Sequence, residues 1–209
     1  MALDLETIKQ ENSNLLRDYG IFVIDHLPTI EPLSEVSPKS PQVVALRACA
    51  LGYVVGLGYG AKKRNLRSKL RKFGLWESVT VSERKALHSW KLSETEKVRF
   101  QWLVESLQAL AWCLGLTKLG PFEPCDDELV TKIPMDIDPS QFVNSAQLRS
   151  ISDLQTQVDL HYRLHWFARS NRLSGQTDMF DFPAIEARRQ ALDWVYGVED
   201  AWDEIDLST

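Results

Sequence analysis

Two four-residue signatures constrain this chain more than any other feature in it. Thr80-Val81-Ser82-Glu83 and Ser93-Glu94-Thr95-Glu96 each set a hydroxyl three residues ahead of a glutamate. At that spacing each side chain satisfies a free backbone N–H of the other's residue in the first turn of a helix, so both mark helix starts. The second opens a long periodic stripe: Val98, Trp102, Leu103, Leu107, Leu110, Ala111 and Leu114 keep helical spacing up to Gly115.

The flanking segments read the same way. A helix is expected from about Asp4 to Tyr19, stopped by Gly20, and another from Ser40-Pro41 to about Tyr59. The second is apolar nearly all round, as a central helix is. A basic helix follows from Ala61 to Phe73, with Leu66, Leu70 and Phe73 as its apolar stripe. Short and long helices are expected over 140–145 and 152–173, the first opened by Asp138-Pro139. A last long helix is read as capped by Asp181 and running through Trp194, with a final turn over 199–206. Ile21-Phe22-Val23-Ile24 is the one strand-like run, and a lone strand lacks a partner. The expected fold is therefore all-α with at most a small β element. One multi-helix domain over 1–209 is expected, with a proline-rich connection over 25–41 and an irregular belt over 116–139.

Charge narrows the function classes. A formal net charge of -5 argues against a nucleic-acid binder, which needs a basic face for phosphates. Cys49, Cys113 and Cys125 form no close pair, so neither a disulfide framework nor a metal knuckle is indicated. The longest uncharged run, Ala48 to Ala61, is too short to span a bilayer. The first residues have no basic segment followed by an apolar one, so a cytoplasmic protein without membrane attachment is expected.

The order of several motifs resembles one family. The features are Asn14-Leu15-Leu16 through Gly20, Leu27-Pro28, Val43 to Leu51, Trp102-Leu103-Val104-Glu105 through Trp112-Cys113-Leu114-Gly115, and Pro124-Cys125-Asp126. The most specific are Asp159-Leu160-His161-Tyr162-Arg163-Leu164-His165-Trp166 with Arg169, and Arg188-Arg189-Gln190-Ala191-Leu192-Asp193-Trp194 followed by Trp202-Asp203-Glu204. This pattern resembles the domain-of-unknown-function family numbered 4272 over nearly the whole chain. Glu204 stands where the family pattern has a second aspartate, which keeps the charge. The resemblance implies no activity and no site residues.

Four residues of one helix are the candidate catalytic set: Asp159, His161, Arg163 and His165. His161 and His165 share a face at metal-binding spacing, but Tyr162 stands where a zinc peptidase has its glutamate. No metal and no cofactor are expected. Arg163, one turn after Asp159, is expected in a buried pair completed from another helix by a second carboxylate, Glu105 or Asp193, or by several backbone carbonyls. The cations from Lys62 to Lys72 offer a basic face to nucleic acid or anionic lipid, but no aromatic interleaves them for base stacking, and they read as a solvated face opposite the apolar stripe. Near the C-terminus Glu199, Asp200, Asp203, Glu204 and Asp206 surround Trp202. Trp202, Asp203, Glu204 and Arg169 are the candidate binding residues.

Two functions fit. The first is a non-catalytic protein-binding module, an immunity-type or regulatory partner whose acidic surface meets a basic protein. The alternative is an enzyme with a polar cleft on the helix carrying Asp159, His161, Arg163 and His165. If those side chains face solvent with perturbed acidities, the enzyme gains; if internal hydrogen bonds absorb them, the binding module gains.

Overall fold

A computed structural model describes residues 4–175 and 181–208. Among the described residues there are nine α-helices and no strand. They are α1 (Leu5–Asp18), α2 (Pro41–Val54), α3 (Lys63–Lys72), α4 (Val81–His88), α5 (Glu94–Cys113), α6 (Leu129–Lys132), α7 (Ser140–Ser145), α8 (Ile151–Leu173) and α9 (Phe182–Tyr196).

Both capping boxes form, with Thr80 and Ser93 as N-caps. α9 lies between α5 and α8; α2 packs on α5, and α1 on α8. The main core spreads over α2, α5 and α9, and the belt lays Leu119, Leu129 and Ile133 across it. A smaller cluster beneath α1 joins Leu16, Ile21, Val23 and Leu27 to Leu160, Leu164 and Ile185. Cys49 and Cys113 are buried as small apolar side chains of the core.

Several local expectations shift. Ile21 and Val23 are buried and Phe22 is exposed, so the period-two alternation is real. The segment nevertheless packs its side chains on α8 without forming a ladder. α2 stays α-helical only to Val54 and tightens into a 3₁₀ turn over Val55–Leu57. Pro139 occupies the N-cap position of α7 instead of its first turn, and Asp138 accepts hydrogen bonds from the Ser140 backbone and hydroxyl. Asp181 stands at the α9 N-cap without a side-chain hydrogen bond to the first turn. Helical spacing also predicts burial of Trp102, Trp112 and Trp166; Trp112 is buried, Trp102 is half-buried near the start of α5, where fewer residues are buried than in its last turns, and Trp166 on α8 is half-buried.

Two glycines are set by close approach. Gly58 passes so near α5 that a Cβ would lie 2.6 Å from the Gln101 backbone nitrogen. Gly197 ends α9 at φ +85°, and a Cβ there would lie 2.0 Å from the Ser37 carbonyl oxygen.

Candidate functional site

The four candidate catalytic residues lie inside the protein. Asp159, His161, Arg163 and His165 are each no more than 1% exposed, since this stretch of α8 is covered by α1 and α9. Arg163 donates to both carboxylate oxygens of Asp159, at 2.7 and 2.8 Å, and to the Pro28 carbonyl at 3.2 Å. Asn12 of α1 adds a hydrogen bond to Asp159 at 2.8 Å. The expected second carboxylate is absent from Arg163: Glu105 pairs with Arg188 at 2.7 Å and Asp193 with Arg189 at 3.1 Å. A carbonyl and an amide complete the site because they bring polarity without adding a second buried charge.

The two imidazoles are held as neutral rings. His161 Nδ1 lies 3.0 Å from the Gln157 carbonyl, which requires a proton on that nitrogen, whereas Arg189 donates to His165 Nδ1 at 2.8 Å, so that nitrogen carries the lone pair. Burial pushes both rings down to about 3, and the cations Arg188, and Arg189 with Arg169, add to the shift. Among the described residues no group of three or more His, Cys, Asp and Glu side chains has metal-binding geometry.

A fourth buried arginine was not singled out from sequence. Arg47, on apolar α2, is gripped by both oxygens of Glu83 at 2.7 and 2.8 Å and donates to the Ser78 carbonyl. Its guanidinium lies 4.2 Å from the Trp202 ring centre. Trp202 is buried and meets Trp194 edge to face at 5.4 Å. Asp203 reaches back across the chain to accept hydrogen bonds from the Ser82 backbone and hydroxyl, both at 2.9 Å. The first turn of α4 is thus capped from within and from the far end of the chain.

Beside this junction runs an open groove of 880 Å³ between α2, α4 and the C-terminal turn. Its walls are mostly apolar, from Val43, Leu46, Val79, Val81, Trp194 and Trp202. Val81, at the first position of α4, is 80% exposed. Asp200, Asp203, Glu204, Arg84 and Lys85 supply its charged lining. Asp200 is tied to Lys39 and Glu77 to Arg84, each at 3.0 Å. The structure therefore brings together three of the four candidate binding residues. Arg169 stands apart, donating to the Leu207 carbonyl at 3.4 Å. Val81 escaped the sequence reading because a valine just inside a capping box carries no periodic signal.

A second, more enclosed cavity of 440 Å³ lies where α8 and α9 meet the segments 28–31 and 198–208. Glu31, Tyr162, Arg189, Asp193, Glu199 and Asp206 line it. Burial pushes the Asp193 carboxyl up to about 6, against the pull of Arg189. Cys125 faces a third cavity with Asp126 and Lys132, and burial raises its thiol to about 11, so at neutral pH it is a thiol and a poor nucleophile.

The model of one family, described as a domain of unknown function (DUF4272), matches residues 8–205. No curated protein and no solved structure matches the chain.

Proposed function

We propose that this chain, which belongs to the DUF4272 family, is a non-catalytic protein-binding module. The reading is that its groove between α2, α4 and the C-terminal turn seats an apolar segment of a partner flanked by lysine or arginine. The observation that carries it is the groove itself, with an exposed valine and a buried tryptophan pair in one apolar concavity. Apolar anchors entering such a pocket supply most of the affinity of a protein interface. Two acidic residues of the groove support the basic flank: Glu204 is exposed and Asp203 accepts the α4 backbone N–H of Ser82. Burial closes the Asp159–His165 stretch to solvent, and internal hydrogen bonds hold most of its polar atoms, although His161 Nε2 and one Arg163 guanidinium nitrogen have no partner, so no open cleft supports catalysis there.

The test is selection of a random peptide library on the purified protein. Enrichment of peptides pairing bulky apolar residues with lysine or arginine, and their loss on Val81→Asp, is the expected result. Val81 is exposed, so this variant folds. No enrichment, or binding indifferent to Val81→Asp and Glu204→Lys together, would reject the reading.

One observation keeps an enzymatic alternative. Asp193 is a buried carboxyl that titrates near 6 on an enclosed polar cavity beside Tyr162 and Arg189, the setting of a general acid–base group. A turnover found in a substrate screen, with a midpoint near that value and lost in Asp193→Asn, would favour it over the binding module.

A further inference from the structure

Trp90 is fully exposed, which is rare for the side chain with the largest apolar area. It sits in the turn between α4 and α5, next to Lys91. Three hydrogen bonds fix where that turn lies. Lys63 of α3 donates to the Ser89 carbonyl and hydroxyl at 2.9 and 2.7 Å, and Arg67 donates to the Leu87 carbonyl. The turn that carries Trp90 therefore sits beside the N-terminal half of the basic helix. Tyr59, 68% exposed, precedes that helix on a segment locked to α5 by a hydrogen bond from Gln101 to the Gly58 carbonyl. Lys62, Arg64 and Lys91, which neighbour the two aromatic residues in the chain, are exposed as well. The nearby carboxylates are engaged, Glu94 with Lys97 at 2.6 Å and Glu96 with the Ser93 cap.

We infer that this face, Trp90 and Tyr59 with Lys62, Arg64 and Lys91, docks peripherally on an anionic lipid bilayer. An indole on a convex turn has no groove of its own to fill, whereas the headgroup region accepts an amphipathic ring with its polar edge in water. Exposed lysines and arginines meet the negative potential of an anionic leaflet. Charge complementarity alone would also suit a nucleic-acid strand. That strand, however, needs a continuous row of cations tracking its phosphates. Here Lys63 and Arg67 turn their heads onto the protein's own carbonyls, and Lys69 onto Asp136 at 2.7 Å, so the row is broken. Among the described residues no helix is long and apolar enough to cross a membrane, and the contact inferred is interfacial, a departure from the expectation of no membrane attachment. This face is separate from the proposed peptide groove, and either can fail without the other.

The experiment is cosedimentation of the full chain with vesicles of phosphatidylcholine mixed with phosphatidylserine, against phosphatidylcholine alone. Tryptophan emission is read in parallel. The expected result is binding to the anionic vesicles only, weakened as salt shortens the reach of the charges, with a blue shift. Trp90→Ala should abolish the shift and weaken binding about tenfold, as loss of a buried apolar anchor does. Lys62→Glu with Arg64→Glu should weaken it by roughly tenfold or more, each cation near an anionic surface being worth several-fold. All three positions are exposed, so the variants fold. Absence of binding at low salt, binding unchanged in both variants, or a Trp90-dependent signal with polyuridylate and none with vesicles would each overturn the inference.

Discussion

Glu83 serves Arg47 and Thr80 at once: its two carboxylate oxygens hold the buried guanidinium at 2.7 and 2.8 Å, and one of them also accepts the Thr80 backbone N–H at 3.0 Å. The start of α4, the middle of α2 and, through the stacking of Arg47 on Trp202, the C-terminal turn therefore share one side chain.

Glu83→Ala is accordingly expected to cost more than a lost cap. Removing one partner of a buried pair leaves the other charge stranded, typically at about 3–5 kcal/mol, while a missing cap alone costs about 1 kcal/mol. Denaturant unfolding checks it; a loss no larger than a cap's would mean that water reaches Arg47.

Arg163→Ala is expected to destabilise by a similar amount, about 3–5 kcal/mol, because Asp159 would remain buried with only Asn12 to hold it. The double variant Arg163→Met with Asp159→Leu should recover much of that loss, since apolar replacement of both partners removes the stranded charge. A thermal midpoint of Arg163→Ala at or above that of the parent would show that this arginine serves a ligand instead of the core.

Acid should unfold the protein through its histidines. His161 and His165 have folded values near 3, below the value near 6.5 of the open chain. Their contribution is complete above that open-chain value and is lost as pH falls from about 6.5 toward 3, by up to about 1.4 kcal/mol per pH unit for each ring. Asp193 acts with the opposite sign: its raised value contributes stability at low pH that is lost as pH rises from 3.8 through about 6. Two rings against one carboxyl leave a net loss on acidification, steepest below the range where Asp193 opposes it. Unfolding free energies measured from neutrality downward should follow this course, and His161→Gln should flatten it.

Gly197→Ala should be among the more damaging small substitutions. The residue is held at φ +85°, where a Cβ costs about 1–2 kcal/mol by itself, and that Cβ would overlap the Ser37 carbonyl. The Ser37 N–H is bonded to the Gly197 carbonyl at 3.1 Å, so the neighbouring strand of chain cannot simply withdraw. Thermal unfolding should show a loss of at least about 2 kcal/mol.

What the sequence determined by itself was local. Capping boxes at Thr80 and Ser93, glycine stops and the period of α5 act within a turn or two of chain, so residue order reveals them. The i, i+4 spacing of Asp159 and Arg163 likewise announced their pair. Tertiary structure decided everything that joins distant residues. It sent Glu105 and Asp193 to Arg188 and Arg189, brought Pro28 and Asn12 to the Asp159–Arg163 pair, laid Arg47 on Trp202, and set Asp203 on the cap of α4. It also decided exposure, leaving Trp90 on the surface while Trp194 and Trp202 went inside. The reason is physical: helix starts and periods depend on backbone groups a few residues apart, whereas charge partners and burial depend on which helix faces meet, and similar carboxylates and indoles recur along the chain with nothing local to tell them apart.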